Sequence, residues 1–381
     1  VGFVLQRWPS AVRRLLWYTL VGNGLCSVLC SLAPNAATLT LLLAVDGLCQ
    51  AVPYVYLPVW VNQFAPAGSA TRWMGLVQNV AQVGVILGYG GTAMVMHARG
   101  DWAWRGAFAA QGLAIMLAAS VLANLSAMDM LLASEAGNPA SVPLSFEASA
   151  HATVRLLCRF RRHRAYWYTL AAAGALEFVG NGLNYWTSLY LVKELFATPR
   201  QADVISVVVS MVGPIFGTWA GARYIDLIGG YKGNHAAALD ALCALSCATL
   251  LAVPWLTYSR SLTIVSAALL VELALVAALT PALAGITLDI LPEELRPLAS
   301  GIYGLGTNML GYGLSTFLGG GAIHISGSVA FGWGFNAAVV ALCPVLLLLA
   351  RATVGLQVPV RVLIRDFVER ARAAVGLPPT R

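Results

Sequence analysis

The stretch LTIVSAALLVELALVAALTPALAGI, Leu262–Ile286, carries a single ionisable side chain, Glu272. A helix rises 1.5 Å per residue, so a run of this length crosses the roughly 30 Å of hydrocarbon in a bilayer. Nine further runs have the same character: Leu15–Ser31, Leu39–Val61, Trp73–Met96, Gly106–Leu125, Tyr166–Leu191, Val204–Tyr224, Ala236–Tyr258, Leu298–Ile323 and Val329–Ala350. The composition agrees with them. Of 381 residues, 59% are hydrophobic and 10% are charged, where a soluble chain carries about 25% charged residues. This excludes a nucleic-acid-binding domain, a secreted disulfide scaffold and a disordered chain. The sequence describes an all-α polytopic membrane protein with ten transmembrane helices, each satisfying its own backbone as lipid requires.

The basic residues orient it. With residues 1–14 on the cytoplasmic side, alternate loops collect Arg7, Arg13, Arg14, Arg72, Arg155, Arg159, Arg161, Arg162, Arg164, Arg223, Lys232, Arg296 and the six arginines from Arg351 onward. The opposite side holds Arg99, Arg105, Lys193, Arg200 and Arg260. The positive-inside rule places both termini in the cytoplasm. The skew also accounts for the net charge of +7 through topology and anionic lipid, without a nucleic-acid partner. Cys26 and Cys30, like Cys243 and Cys247, stand four apart on single helices and read as small packing residues. No metal site and no cofactor is expected.

The chain repeats itself. Leu87-Gly88-Tyr89-Gly90 recurs as Leu310-Gly311-Tyr312-Gly313, 223 positions later. Trp104-Arg105-Gly106-Ala107-Phe108 faces Phe331-Gly332-Trp333-Gly334-Phe335, and the turn Gln6…Arg13 faces Asp226…Lys232. Transporters are commonly built from such repeated halves. Four spans precede the stretch Met128–Ala165 and six follow it, so a six-plus-six protein is expected, with ten of twelve helices in this sequence. The domains read as an N-terminal bundle over 1–127, a cytoplasmic linker over 128–165, a C-terminal six-helix bundle over 166–351 and a cytoplasmic tail over 352–381. Basic amphipathic stretches in the linker and the tail suit a membrane surface.

Gly221-Ala222-Arg223-Tyr224-Ile225-Asp226-Leu227-Ile228-Gly229-Gly230-Tyr231-Lys232 resembles the Gly-x-x-x-Asp-Arg-x-Gly-Arg-Arg turn of the major facilitator superfamily. The N-terminal counterpart, Gly2 to Arg14, has Gln6 where that family has its acid. Leu291-Pro292-Glu293-Glu294-Leu295-Arg296-Pro297 is similar to the family's approach to its eleventh helix. Gly47-Leu48-Cys49-Gln50-Ala51, with Pro58, looks like the motif of the spinster-like lysolipid transporters, with Cys49 and Gln50 departing from it. The resemblance implies a two-bundle fold that rocks about a midplane cavity. It makes Arg7, Arg13, Arg14, Asp226, Gly229, Gly230 and Lys232 a gating turn. Gly229 and Gly230 suit a tight reversal with positive φ. Asp226 is suited to accept from the exposed amides of a neighbouring helix start, or to pair with Arg223 or Lys232.

An ionisable side chain in mid-bilayer costs several kcal/mol and marks function by default. Asp46, Glu177 and Glu272 lie well inside their spans, whereas Asp240 sits near a span end. Glu177, Asn181 and Asn184 share one helix face, Asp46, Gln50 and Tyr54 form a second stripe, and Gln78 with Gln82 a third. Asn308 lies in the ninth span. By the family's architecture these surround the cavity, so Asp46, Gln50, Tyr54, Gln78, Gln82, Glu177, Asn181, Asn184, Glu272 and Asn308 are candidate substrate-binding residues. Glu177 and Glu272 are the candidate coupling residues, for a proton or for a cationic group on the substrate. Gly84 with Gly88, and Gly217 with Gly221, are spaced for close helix approach; Gly319, Gly320 and Gly321 are placed to bend a helix.

The function expected is secondary active transport of a small organic or amphipathic solute, by a monomer in a lipid membrane. The alternatives are a non-transporting receptor on a transporter fold, or an intramembrane lipid-modifying enzyme. The five histidines stand in loops or at span ends, which disfavours the enzyme. No Gly-x-x-x-x-Gly-Lys-Ser/Thr loop occurs, which excludes an ATP-driven pump on this chain.

Overall fold

The structure, a computed structural model, describes residues 12–99, 103–124 and 160–357. Helices and no strands occur among them. The N-terminal half contributes α1 (Val12–Ser31), α2 (Ala36–Phe64), α3 (Ala70–Arg99) and α4 (Ala103–Ala123). The C-terminal half contributes α5 (Arg164–Glu194), α6 (Pro199–Leu227), α7 (His235–Thr249), α8 (Val253–Tyr258) and α9 (Leu262–Asp289). It continues with α10 (Arg296–Asn308), α11 (Ser315–Ser326), α12 (Val329–Ala338) and α13 (Leu342–Gln357). Successive helices α7–α8, α10–α11 and α12–α13 each make one span, so every apolar run of the sequence is a helix.

Six spans are long and apolar enough to cross a membrane on composition alone: Ala36–Phe64, Trp104–Ala123, Pro199–Leu227, His235–Tyr258, Leu262–Asp289 and Val329–Val354. Among those that fall short are α5 and α10–α11, which carry polar residues in mid-span. The helices overrun their apolar runs because polar caps hold the ends. Asn35 accepts from the Thr38 amide at 2.9 Å to start α2. Thr198 and Gln201 form a capping box at α6, with Pro199 in the first turn, where a missing N–H costs nothing.

Helix starts repeat too, three residues out of the register of the Leu-Gly-Tyr-Gly match. Ala36, Ala70 and Ala103 open α2, α3 and α4, and Leu262, Arg296 and Val329 open their counterparts 226 positions later. The two proline-led openings match in backbone. Pro66 (φ −59°, ψ 145°) leads a 3-10 turn over Ala67–Ser69 into α3, and Pro292 (φ −54°, ψ 146°) leads one over Glu293–Leu295 into α10. The Leu-Gly-Tyr-Gly match does not extend to conformation. Leu87–Gly90 lies inside α3, whereas Leu310–Gly313 lies in a π-helical turn, Met309–Leu314, between α10 and α11.

Packing within each half depends on glycine. A Cβ at Gly217 or Gly221 of α6 would collide with the Ala274 or Ala278 carbonyl of α9, so these two helices touch backbone to backbone as their spacing predicts. Among the described residues, a Cβ at Gly84 or Gly88 would meet nothing within 4 Å. Helix α11 runs unbroken through Gly319–Gly321, and Gly319 makes room for Trp186 and Asn336. The core of the C-terminal half is centred on Tyr190 and Trp333, stacked at 4.5 Å, and Tyr190 donates to the Leu256 carbonyl. The halves meet where α3 lies on α6, α10 on α2, and α9 on both α2 and α3. Most of the linker and of the tail, with Arg7, lies outside the described residues.

Candidate functional site

At the end of the molecule that holds the Asp226 turn, the two halves are bonded together. Asp226, with 4% of its side chain exposed, accepts from the amides of Thr71 and Arg72 at 3.1 and 3.0 Å and from Arg72 Nε at 3.0 Å. A carboxylate at the start of α3 meets the positive end of the helix dipole and two amides that have no partner inside the helix. Of the partners considered from sequence, the helix start is therefore the one found. Arg223 lies 6.0 Å from the Trp219 ring instead, and Lys232 Nζ donates to the Ala65 carbonyl at 2.6 Å. Arg13 and Arg14 open α1 and are not partners of Asp226.

The turn supplies further contacts. Gly229 and Gly230 adopt φ of 108° and 71°, which side-chain-bearing residues seldom do, and a Cβ on Gly230 would come within 2.6 Å of the Ala67 carbonyl. Tyr231 is fully buried and donates to Asn62 Oδ1 at 3.1 Å. Burial pulls the Lys232 ammonium pKa below its usual range, against the attraction of Asp289 and with the help of Arg296. An apolar layer lies beside these bonds, in which Val52, Val55 and Val59 of α2 meet Tyr166, Leu170, Leu288 and Leu295 from the other half. Ser300 ties it further by donating to the Val55 carbonyl at 2.8 Å.

A polar cluster borders that layer, about halfway along α2, α5 and the α10–α11 span. Asn181 Nδ2 donates to Glu177 Oε2 at 3.1 Å and to the Glu177 carbonyl at 2.9 Å. Asn308 Nδ2 donates to the Gly304 carbonyl at 2.7 Å and to Tyr54 Oη at 3.4 Å. Two glycines seat the visitors from neighbouring helices. A Cβ on Gly304 would stand 2.6 Å from Tyr54 Cε1, and one on Gly311 would stand 2.8 Å from Glu177 Cβ. Gly304, Asn308 and Gly311 are spaced i, i+4 and i+7, and Gly311 falls in the π-helical turn, a distortion frequent at functional sites. Glu177 lies within electrostatic reach of Tyr54 and Tyr303.

Of the ten candidate binding residues, Tyr54, Glu177, Asn181 and Asn308 thus come together. The others do not join them. Asp46 is buried against α1, accepting from Gln50 at 2.8 Å, with Asn23 donating to its carbonyl and Cys26, Cys30 and Cys49 nearby. Gln78 accepts from Thr280 across the halves at 3.0 Å, and Gln82 is exposed on α3. Asn184 accepts from Ser210 of α6 at 2.7 Å. Glu272 is fully buried, and neither of its carboxylate oxygens finds a hydrogen-bond partner among the described residues. One turn further along α9, Val276 touches Gly180 of α5, which places that face inside the C-terminal half rather than toward Tyr54. Asp240 pairs with Arg351 at 3.0 Å, as its place near a span end suggests.

Gly304 and Gly311 were not singled out as site residues from sequence. Their seven-residue spacing around Asn308 was the available signal.

No family profile matches the sequence, and no curated protein aligns with it. Solved structures do match. The E. coli fucose:proton symporter FucP superposes with a TM-score of 0.71 over 92% of this chain and 86% of that one, at 14% identity. The same symporter in its outward conformation gives 0.70. The fold is that of the major facilitator superfamily. The proton:xylose symporter XylE gives 0.64 over 94% and 83%, at 14% identity. The human organic anion transporter MFSD10 gives 0.60 over 91% and 80%, at 15% identity. The spinster-like resemblance is not shown by these matches.

Proposed function

We propose that the protein is a secondary transporter that carries a small organic solute through the membrane by alternating access. The carrying observation is a one-sided closure. Among the described residues, the hydrogen bonds joining the halves involve residues 54–79 of the N-terminal half, from Tyr54 and Val55 in α2 through Asn62, Ala65, Thr71 and Arg72 to Gln78 and Asn79 in α3. The polar cluster of Tyr54, Glu177, Asn181 and Asn308 stands at the inner edge of that closure and is its solute site. The Asp226 end faces the cytoplasm, and this conformation is the outward-facing one. Release of Asp226 from the α3 start, with opening of the Val55 layer, would admit the solute to the other side. Fucose and xylose symporters of the same fold support a polar solute and proton coupling, with Glu177 as the group that binds the proton.

Purified protein in proteoliposomes, screened against lysolipids, sugars and amino acids with and without a pH gradient, tests this. Saturable uptake of one class, accelerated by a gradient, is the expected result. Equilibrium binding with no flux for any class would make the protein a receptor instead.

A further inference from the structure

We infer that the solute is a small organic cation bearing N–H donors, a protonated primary or secondary amine, whose charge pairs with Glu177. This rests on the transport function proposed above and narrows its substrate class.

The first support is where the charges lie. Each lysine and arginine with a described side chain stands in a turn or near a helix end, from Arg13 and Arg72 to Lys232, Arg296 and Arg351. The ionisable groups in the helix middles are the acids Asp46, Glu177 and Glu272, and of these Glu177 alone is neither fully buried like Glu272 nor enclosed against α1 like Asp46. No cation lies within ion-pair distance of Glu177 among the described residues. A carboxylate in a low-dielectric cleft needs a positive partner or a proton.

The second support is how the cluster's donors are used. The Asn181 amide N–H groups go to Glu177, and those of Asn308 go to the Gly304 carbonyl and Tyr54 Oη. What the cluster leaves over is mainly acceptor capacity: the second Glu177 oxygen and the side-chain carbonyls of Asn181 and Asn308, none of which accepts from a described residue, with the hydroxyls of Tyr54 and Tyr303 as the donors beside them. A sugar hydroxyl needs donors and acceptors alike, whereas an ammonium offers donors only. The rings of Tyr54 and Tyr303 beside Glu177 add faces that attract a cation. One carboxylate accommodates one positive charge at a time, so amine and proton compete for it, and the exchange is an antiport.

Equilibrium binding to the purified protein at pH 7 tests this without requiring flux. The probes are phenethylammonium, tetramethylammonium, which has no N–H donor, and xylose, which is neutral. Saturable binding of phenethylammonium, weaker binding of tetramethylammonium and none of xylose is expected. Glu177→Gln should weaken phenethylammonium by about thirtyfold or more, the loss of a charge-assisted contact, and Glu177→Asp should recover part of it. Binding of xylose but of neither cation would overturn the inference and leave transport standing. So would phenethylammonium affinity unchanged in Glu177→Gln. If Glu177→Gln aggregates on size exclusion, the ranking of the three probes on the unaltered protein decides. Absence of flux for all three in proteoliposomes, with amine binding intact, would instead overturn the transport function and spare the amine site.

Discussion

Helices α3 and α10 begin with the same device and are held in opposite ways. Each follows a proline and a single 3-10 turn, and each has an arginine near its first residue, Arg72 or Arg296. At α3 the anchor comes from across the molecule, because Asp226 of the C-terminal half caps the amides of Thr71 and Arg72. At α10 the anchor is domestic. Asp289 of α9 accepts from Arg296 at 3.1 Å and contacts His235 of α7 at 2.8 Å, all within one half. The difference teaches how a duplicated fold can be made to move. An ion pair inside a half makes that half rigid, while a carboxylate reaching between halves makes a latch that separation breaks. In sequence, the N-terminal counterpart of Asp226 is Gln6, so the chain has an acid for only one of the two latches.

The sharpest way to break this comparison is to remove both anchors separately. Asp289→Ala leaves the mostly buried Arg296 with only the longer, exposed carboxylate contact to Glu293 at 3.9 Å, a change worth about 3 kcal/mol in stability. It should lower the melting temperature of the purified protein without altering access between the halves. Asp226→Ala strips a charged acceptor from two amides and a guanidinium, a loss of about 2 kcal/mol. It should speed maleimide labelling of a cysteine placed at Val59, buried in the apolar layer, by about tenfold or more. The distinction between domestic anchor and latch fails if Asp289→Ala opens that layer as readily as Asp226→Ala.

A smaller effect sharpens the second contrast, in which α3 stays α-helical through Leu87–Gly90 while the matching motif Leu310–Gly313 is π-helical. Gly311→Ala would place a methyl 2.8 Å from Glu177 Cβ. Overpacking of this kind costs about 1–3 kcal/mol, and because it displaces Glu177 it should reduce uptake more than it reduces melting temperature. The same change at Gly88, where a Cβ would meet no described residue within 4 Å, should leave both unaltered. Equal effects at the two positions would remove any special role for the π-helical turn.

Much of the fold was legible because hydropathy and length leave few choices for a chain in lipid, while the repeat was legible only to within a few residues, the motif match at 223 standing against helix starts 226 apart. The Asp226 cap was legible only as one option beside pairing with Arg223 or Lys232, because the sequence of the turn does not say which helix start lies opposite it. The site was legible only in part. Helical spacing groups Glu177 with Asn181, yet it says nothing about which face of α5 meets α2 and α10. It therefore counted Glu272, which the fold buries inside the C-terminal half, and Asp46, which it turns toward α1. Nor does spacing reveal a π-helical turn, which depends on how a side chain from another helix packs against the backbone.

The smallest expected effect comes from a single neutral bond. Ser300 of α10 donates to the Val55 carbonyl of α2 at 2.8 Å, and both groups are buried in the layer between the halves. Val55 is also bound within its own helix, so Ser300→Ala removes a supplementary bond and leaves no stranded amide. The loss is about 1 kcal/mol, which shifts a two-state equilibrium by roughly fivefold. If α10 contributes to closure through this contact, labelling at the Val59→Cys position should rise by about that factor, well short of the change from Asp226→Ala. Combined with Asp226→Ala the two effects should multiply, since Ser300 and Asp226 bind different helices of the N-terminal half. A double variant no faster than Asp226→Ala alone would mean that the latch must open before the Ser300 bond bears any load. The charged contact at α3 would then control the whole closure.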